Sequence, residues 1–223
     1  GEEEEVPGSE NAQPGFEDEV DTDEKRAFQL YQEAAKRDDP AALFNIGLMY
    51  SRGQGVPKDK AKAAEYYEKA AARGNPKAQF NLGLMYAKGE GVPEDKVRAA
   101  QLYEQAANQG NAKAQSNLAL MYSRGEGVEQ DFDKAVELYE KAAEQNDPYS
   151  LLNLGRLYYY GYGVKKNYSK VKEYQQKVEE IGDQNAINYF NKLLHEKTIN
   201  YIVMLMRCVT GFILSFLLIK YIL

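Results

Sequence analysis

The chain has 223 residues, with 28 Lys and Arg against 34 Asp and Glu for a net charge of -6, which is length enough for one or two domains. One Cys, one His and no Trp exclude an internal disulfide framework and the ordinary His/Cys zinc and iron–sulfur sites. A nucleophile–histidine site would have only His195 to draw on, so the composition argues against an enzyme and against a cofactor.

The charge is unevenly spread. Residues 1–24 carry eleven acidic residues and no Lys or Arg, which leaves 28 basic against 23 acidic residues, or +5, in the rest. The only bulky apolar residues there are Val6, Phe16 and Val20. They bury too little surface to offset chain ordering, so residues 1–24 are expected to form a disordered acidic tail.

The body repeats with a period of 36 residues. A half-repeat, 25–40, precedes full repeats at 41–76, 77–112, 113–148 and 149–183, and a degenerate capping helix is expected at 184–195. Tyr50, Tyr86, Tyr122 and Tyr158 are equivalent, as are Gly53, Gly89, Gly125 and Gly161. Each repeat predicts two helices. In the first, Leu43, Ile46, Gly47 and Tyr50 recur at three- and four-residue spacing, the signature of a helical face. Gly53-Gln54-Gly55 ends that run. The second helix starts after Asp59, an N-cap residue, and carries Ala63, Tyr66, Tyr67, Ala70 and Ala71 on one face. One such hairpin cannot bury both of its faces. Stacked neighbours can, which makes the body an all-α solenoid.

The repeat resembles the Sel1-like repeat family, relatives of the tetratricopeptide repeat. In the second repeat Ala78, Leu82, Gly83, Tyr86, Gly89, Gly91, Val92 and Asp95 match the first part of the family pattern. Arg98, Ala99, Leu102, Tyr103, Ala106, Ala107 and Gly110 match the rest. Departures fall later: Ala119 for Gly, Gln175 for the aromatic, Asn146 for the terminal Gly, and Val171 and Val178 for Ala. They suggest a looser end to the array. The resemblance implies a right-handed α/α superhelix that holds protein partners on its concave face. It also includes the membrane-linked adaptor of the endoplasmic-reticulum degradation ligase, and cysteine-rich secreted chains associated with β-lactam hydrolysis.

Several residues are candidates for partner contact. Asn45, Asn81, Asn117 and Asn153 form a ladder at one position of the first helices. Such a ladder either binds an extended peptide or braces the backbone of the adjacent repeat. Arg52, Lys88 and Arg124 form a basic row, with Tyr160 in fourth place. The row either holds an acidic peptide, this chain's own tail included, or answers the helix dipole. Tyr159, Tyr160 and Tyr162 occupy places held by small or polar residues in the other repeats. They are expected to be exposed, for a partner or for packing on the following helix or a membrane surface. The Gly-x-Gly pairs lack the Lys-Ser or Lys-Thr of a phosphate loop and belong to turns. Asn167-Tyr168-Ser169 is a glycosylation sequon, but Asn167 stands where Asp59, Asp95 and Asp131 cap a helix.

Residues 196–223 are expected to anchor the chain in a membrane through an apolar helix, Ile199 to Ile219. Twelve of those 21 residues are Leu, Ile, Val or Phe, worth roughly -4 to -7 kcal/mol of insertion. Arg207 opposes this by about 2.5–3.5 kcal/mol. Arg207 and Lys220 do not share a helix face, so a helix lying in the membrane plane fits poorly. The function expected is a non-enzymatic, membrane-anchored scaffold or adaptor for protein or peptide partners, with no nucleic acid and no small-molecule substrate. Its array is expected in the cytosol, in tail-anchored geometry. The alternatives are a quality-control adaptor facing the endoplasmic-reticulum lumen, which a signal peptide before Gly1 would require, and remotely a secreted-type hydrolase.

Overall fold

The computed structural model describes residues 23–195 and Met204. Among the described residues there is no strand. The helices in chain order are α1 (Asp23–Ala35), α2 (Pro40–Arg52), α3 (Lys60–Ala72), α4 (Pro76–Lys88) and α5 (Lys96–Asn108). They continue with α6 (Ala112–Arg124), α7 (Phe132–Ala143), α8 (Pro148–Tyr160) and α9 (Tyr168–Ile181). A further helix, α10, covers 184–195. Each helix packs chiefly on its neighbours in sequence, so the body is a repeat solenoid.

The boundaries follow from local chemistry repeated at each period. Asp39, Asn75, Asn111 and Asp147 cap α2, α4, α6 and α8 by accepting from backbone N–H groups of the first turn. Pro40, Pro76 and Pro148 follow three of these caps, where a missing N–H costs nothing. The same helices end at Gly53, Gly89, Gly125 and Gly161, all left-handed. The loop then closes on itself: Asp59, Asp95 and Asp131 each donate their backbone N–H to Tyr50, Tyr86 and Tyr122 carbonyls at 2.9 Å. Gly91 shows why the second glycine of the turn is needed. Its φ is 76°, and a β-carbon there would come 2.6 Å from the Lys60 carbonyl carbon of the preceding repeat.

The seam between paired helices is built from alanine. Ala63, Ala70, Ala99, Ala106, Ala135 and Ala142 are fully buried, and their small size lets the helices approach closely. Tyr67, Tyr103 and Tyr139 are buried too, and Tyr67 and Tyr103 lie against Gly47 and Gly83 of the paired helix. Full burial of an aromatic or leucine side chain of this kind is worth about 1.5–3 kcal/mol. Tyr50, Tyr86, Tyr122 and Tyr158 each carry a cation over the ring, from Lys62, Arg98, Lys134 and Lys170 at 5.1–5.5 Å.

The structure corrects the sequence reading at two places. Asp23 and Glu24 belong to α1, and the Glu24 carboxylate accepts from the Gly55 N–H at 3.2 Å, so the ordered body begins two residues earlier than expected. The far end of the array is not loose. Val171 and Val178 are fully buried in a cluster with Leu151, Leu154 and Phe190, because branched side chains fill what alanine would leave open. The capping helix is an integral part of that cluster through Ala186, Phe190 and Leu193. Residues 1–22 and, apart from Met204, the apolar segment Ile199 to Ile219 lie outside the described residues. Among the described residues no helix is long and apolar enough to cross a membrane.

Candidate functional site

The first helices of the repeats (α2, α4, α6 and α8) share one face, and three hollows open along it. Asn45 and Leu48 border one of about 300 Å³ with Tyr31 of α1. Arg52, Phe80 and Asn81 border another of about 540 Å³, which reaches Lys113 in the next repeat. Arg124, Tyr139, Asn153, Arg156 and Tyr160 border a third of about 180 Å³. The solenoid therefore brings members of the asparagine ladder and of the basic row into the same hollows, although they are far apart in sequence.

Two of the asparagines brace their own helices rather than the adjacent repeat. Asn81 Nδ2 donates to the Lys77 carbonyl at 3.0 Å, and Asn153 Nδ2 to the Tyr149 carbonyl at 2.9 Å. Each bonds its own helix one turn back, not the adjacent repeat, because the side chain points toward the helix N-terminus. Asn117 lies against the Tyr103 phenol of the preceding repeat: burial raises the pKa of that phenol, and Asn117 offsets part of the rise. The bracing of backbone between repeats is carried by glutamines: Gln79 Nε2 donates to the Ala71 carbonyl of the preceding repeat at 3.3 Å and Gln115 Nε2 to the Ala107 carbonyl at 3.2 Å.

Arg52, Lys88 and Arg124 are the last residues of α2, α4 and α6, where a cation is favoured by the helix dipole, and all three are exposed. Beside this row runs a ladder of ion pairs between repeats. Lys60 Nζ meets Glu90 Oε2 at 2.7 Å, and Lys96 Nζ meets Glu126 Oε2 at 2.9 Å. Hydrogen bonding to lysine holds both glutamates below the usual carboxylate range. At the third junction Phe132 and Tyr162 take the places of lysine and glutamate and stack with centroids 5.5 Å apart.

Tyr160 and Tyr162 are exposed, as expected, at 40% and 52%, while Tyr159 is half-buried. They do not simply pack onto the following helix. Tyr160 stacks on Tyr162 at 5.7 Å and meets Tyr159 edge-on at 4.9 Å, and Tyr159 in turn meets Tyr168 at the start of α9. The result is an aromatic patch at one end of the face. Asn167 caps α9, its Oδ1 accepting from Ser169 N at 3.1 Å and Lys170 N at 3.2 Å.

Two residues of the third hollow were passed over in the sequence. Arg156 stands where Leu48, Leu84 and Leu120 stand in the other repeats, a break in period that was open to inspection. Tyr139 reads as an ordinary core aromatic, and only its surroundings set it apart. Among the described residues no group of His, Cys, Asp and Glu is placed to hold a metal ion.

The Sel1 repeat model matches residues 13–39, 40–75, 76–111, 112–147 and 148–170. No curated protein matches the chain. Among solved structures, a Sel1 repeat protein from Oxalobacter formigenes is 35% identical, with a TM-score of 0.68 over 74% of this chain and 67% of that one. The protective antigen c5321 of uropathogenic Escherichia coli, which displays an SLR fold, is 34% identical, with a TM-score of 0.72 over 78% of this chain and 37% of that one. This chain thus spans well under half the length of the second relative. With five repeat matches along the body and a third of the residues identical to solved relatives, the chain belongs to the Sel1 repeat family.

Proposed function

We propose that this protein is a non-enzymatic scaffold that holds protein partners against the face formed by α2, α4, α6 and α8, and that the segment Ile199 to Ile219 anchors it in a membrane. The observation that carries the first part is the series of three hollows on one face, lined by asparagines, cations and tyrosines. Polar side chains fixed by their own helices, with aromatic groups between them, present donors and contact area at little entropic cost. The repeats hold these groups in a rigid right-handed superhelix, so a partner meets a preformed surface.

The anchor rests on the sequence. A run of 21 residues with twelve large aliphatic or aromatic side chains has the length of the hydrocarbon core. An array on the cytosolic side is read from Lys192 and Lys197 before the segment. Anchoring raises the effective concentration of whatever the face holds.

The experiment is protease protection of the full chain in sealed microsomes, with endoglycosidase digestion alongside. Digestion of the array without detergent, with no glycan and with the chain retained by the membrane after alkaline extraction, is the expected result. Release by alkaline extraction overturns the anchor. A protected array glycosylated at Asn167 overturns the cytosolic placement and makes the luminal adaptor the better account.

A further inference from the structure

The junction between the third and fourth repeats breaks the period at four positions that meet in space. Phe132 and Tyr162 replace the ion pair made by Lys60 with Glu90 and by Lys96 with Glu126. Tyr160 replaces the cation of the basic row, and Arg156 replaces a leucine found in every other repeat. All four line the pocket of about 180 Å³, together with Arg124 and Tyr139. No Asp or Glu lines it.

The cations of this pocket are poorly neutralised. Among the described residues Arg156 forms no ion pair; its guanidinium lies 5.9 Å from the centre of the Tyr189 ring. Arg124 reaches Glu126 only at 3.6 Å, and that carboxylate is already held by Lys96 at 2.9 Å. Both arginines act on the Tyr139 phenol. Its pKa is raised mainly by burial and also by Tyr149, while the charges of Arg124 and Arg156 work the other way.

The Tyr139 phenol itself is an unmet donor. The residue is 1% exposed, and its hydroxyl is buried without a hydrogen-bond partner. Ser123 lies alongside and lowers the phenol's pKa; the serine gives its own proton to the Leu120 carbonyl at 2.8 Å, and the phenol oxygen forms no hydrogen bond. A buried donor without an acceptor is costly and calls for an explanation. An acceptor that also carries negative charge answers the phenol and both arginines together.

We propose that this pocket receives the carboxylate of an Asp or Glu side chain from an acidic segment of a protein partner. Arg124 and Arg156 pair with its oxygens, Tyr139 donates its hydroxyl, and Phe132, Tyr160 and Tyr162 cover the adjoining peptide. Arginine suits the task because its planar fork matches a carboxylate. Exposed tyrosines beside it supply contact area at low entropic cost. The proposal rests on the scaffold reading and names the chemistry of one of its contacts.

The test is a nuclear magnetic resonance titration of the full chain, kept in a mild non-ionic detergent. The probe is N-acetyl-Phe-Glu amide, and the control is its Gln counterpart. Saturable shifts of the Tyr139, Arg156 and Tyr160 signals are expected, with the Gln control at least about tenfold weaker. Arg156→Leu restores the residue of the other repeats and is expected to weaken binding about tenfold. Tyr139→Phe is expected to weaken binding severalfold while the thermal midpoint stays level or rises, since an orphan donor is removed. An equal response to the Gln control, or undiminished binding by both variants, overturns the proposal. So does inorganic phosphate if it shifts the same signals more strongly than the Glu probe at equal concentration. Markedly tighter binding once residues 1–22 are removed assigns the pocket to the chain's own acidic segment and overturns the partner. None of these outcomes bears on the microsome experiment, so the two readings fail separately.

Discussion

The ring of Phe190 lies so close over Gly155 that a β-carbon on the glycine would overlap it. In the first two full repeats the same duty falls to a tyrosine of the second helix. Tyr67 covers Gly47, where a β-carbon would come 2.7 Å from Cδ1, and Tyr103 covers Gly83 at 2.9 Å. In the fourth repeat the equivalent position is Gln175, which is half-buried and donates to Asn191 at 3.0 Å. The aromatic lost from α9 is supplied by α10 instead.

Phe190→Ala is therefore expected to cost about 3–5 kcal/mol, the range for emptying a buried aromatic site. Urea unfolding checks the magnitude. Hydrogen exchange checks the place: protection falls in α8, α9 and α10, while α2 to α5 keep theirs, because a solenoid is stabilised by nearest neighbours. Uniform loss along the whole array would contradict this account. Gly155→Ala is expected to destabilise the same end, since Phe190 is wholly buried and has no room to give.

Asn167 separates a structural role from a modification site. Its side chain caps α9 through two backbone N–H groups at 3.1 and 3.2 Å. Asn167→Asp keeps the acceptor and removes the sequon, so stability is expected to change little. Asn167→Ala is expected to cost about 1 kcal/mol. Thermal midpoints of the two variants side by side decide the matter; equal loss in both would deny the cap.

The period, the helix caps and the alanine seam were legible in the sequence because each is a local signal that recurs every 36 residues. What was not legible depends on partners brought in by packing. Gln175 was visible as a missing aromatic, but nothing local says that Phe190 makes good the loss. Asp23 and Glu24 read as part of an acidic run, and only the backbone of Gly55 gives Glu24 a reason to be ordered. The asparagine ladder was found, but which backbone it holds turns on the direction of a side chain along a helix. Arg156 was open to detection as the break in a row of leucines. The unmet hydroxyl of Tyr139 was not, since the equivalent Tyr67 and Tyr103 look the same on the page.

The ion pairs between repeats set a pH dependence whose sign follows from the shifts. Lysine partners hold Glu90 and Glu126 below the usual 4.5, and backbone N–H donation holds Asp131 below 3.8. A carboxylate with a depressed folded pKa contributes stability above its unfolded value and loses that contribution as pH falls through the folded value. Acid is therefore expected to weaken the array progressively below about pH 4.5. Glu90→Gln with Glu126→Gln is expected to flatten that loss. Because the groups are exposed, the effect is small and shrinks with added salt. Lys96 shifts upward through Glu126 and works at the opposite limb: its contribution is lost only as pH rises past 10.5. Urea midpoints across the acid range, with and without salt, test both signs.

The asparagine ladder offers the sharpest separation of structure from partner contact, because two of its members do different work. Asn81 satisfies the Lys77 carbonyl of its own helix, in a solvent-open hollow. Water replaces that bond, so Asn81→Ala is expected to cost little. Asn117 stands against the largely buried Tyr103 phenol and lowers its pKa. Asn117→Ala removes the polar neighbour of that hydroxyl and is expected to cost about 1–3 kcal/mol. Adding Tyr103→Phe removes the stranded donor, so the double variant is expected to recover most of the loss. The coupling energy of this cycle is then opposite in sign to the single-variant cost and comparable to it in size. Strict additivity would mean that Asn117 does not serve the phenol, and its side chain would be left free for an incoming peptide.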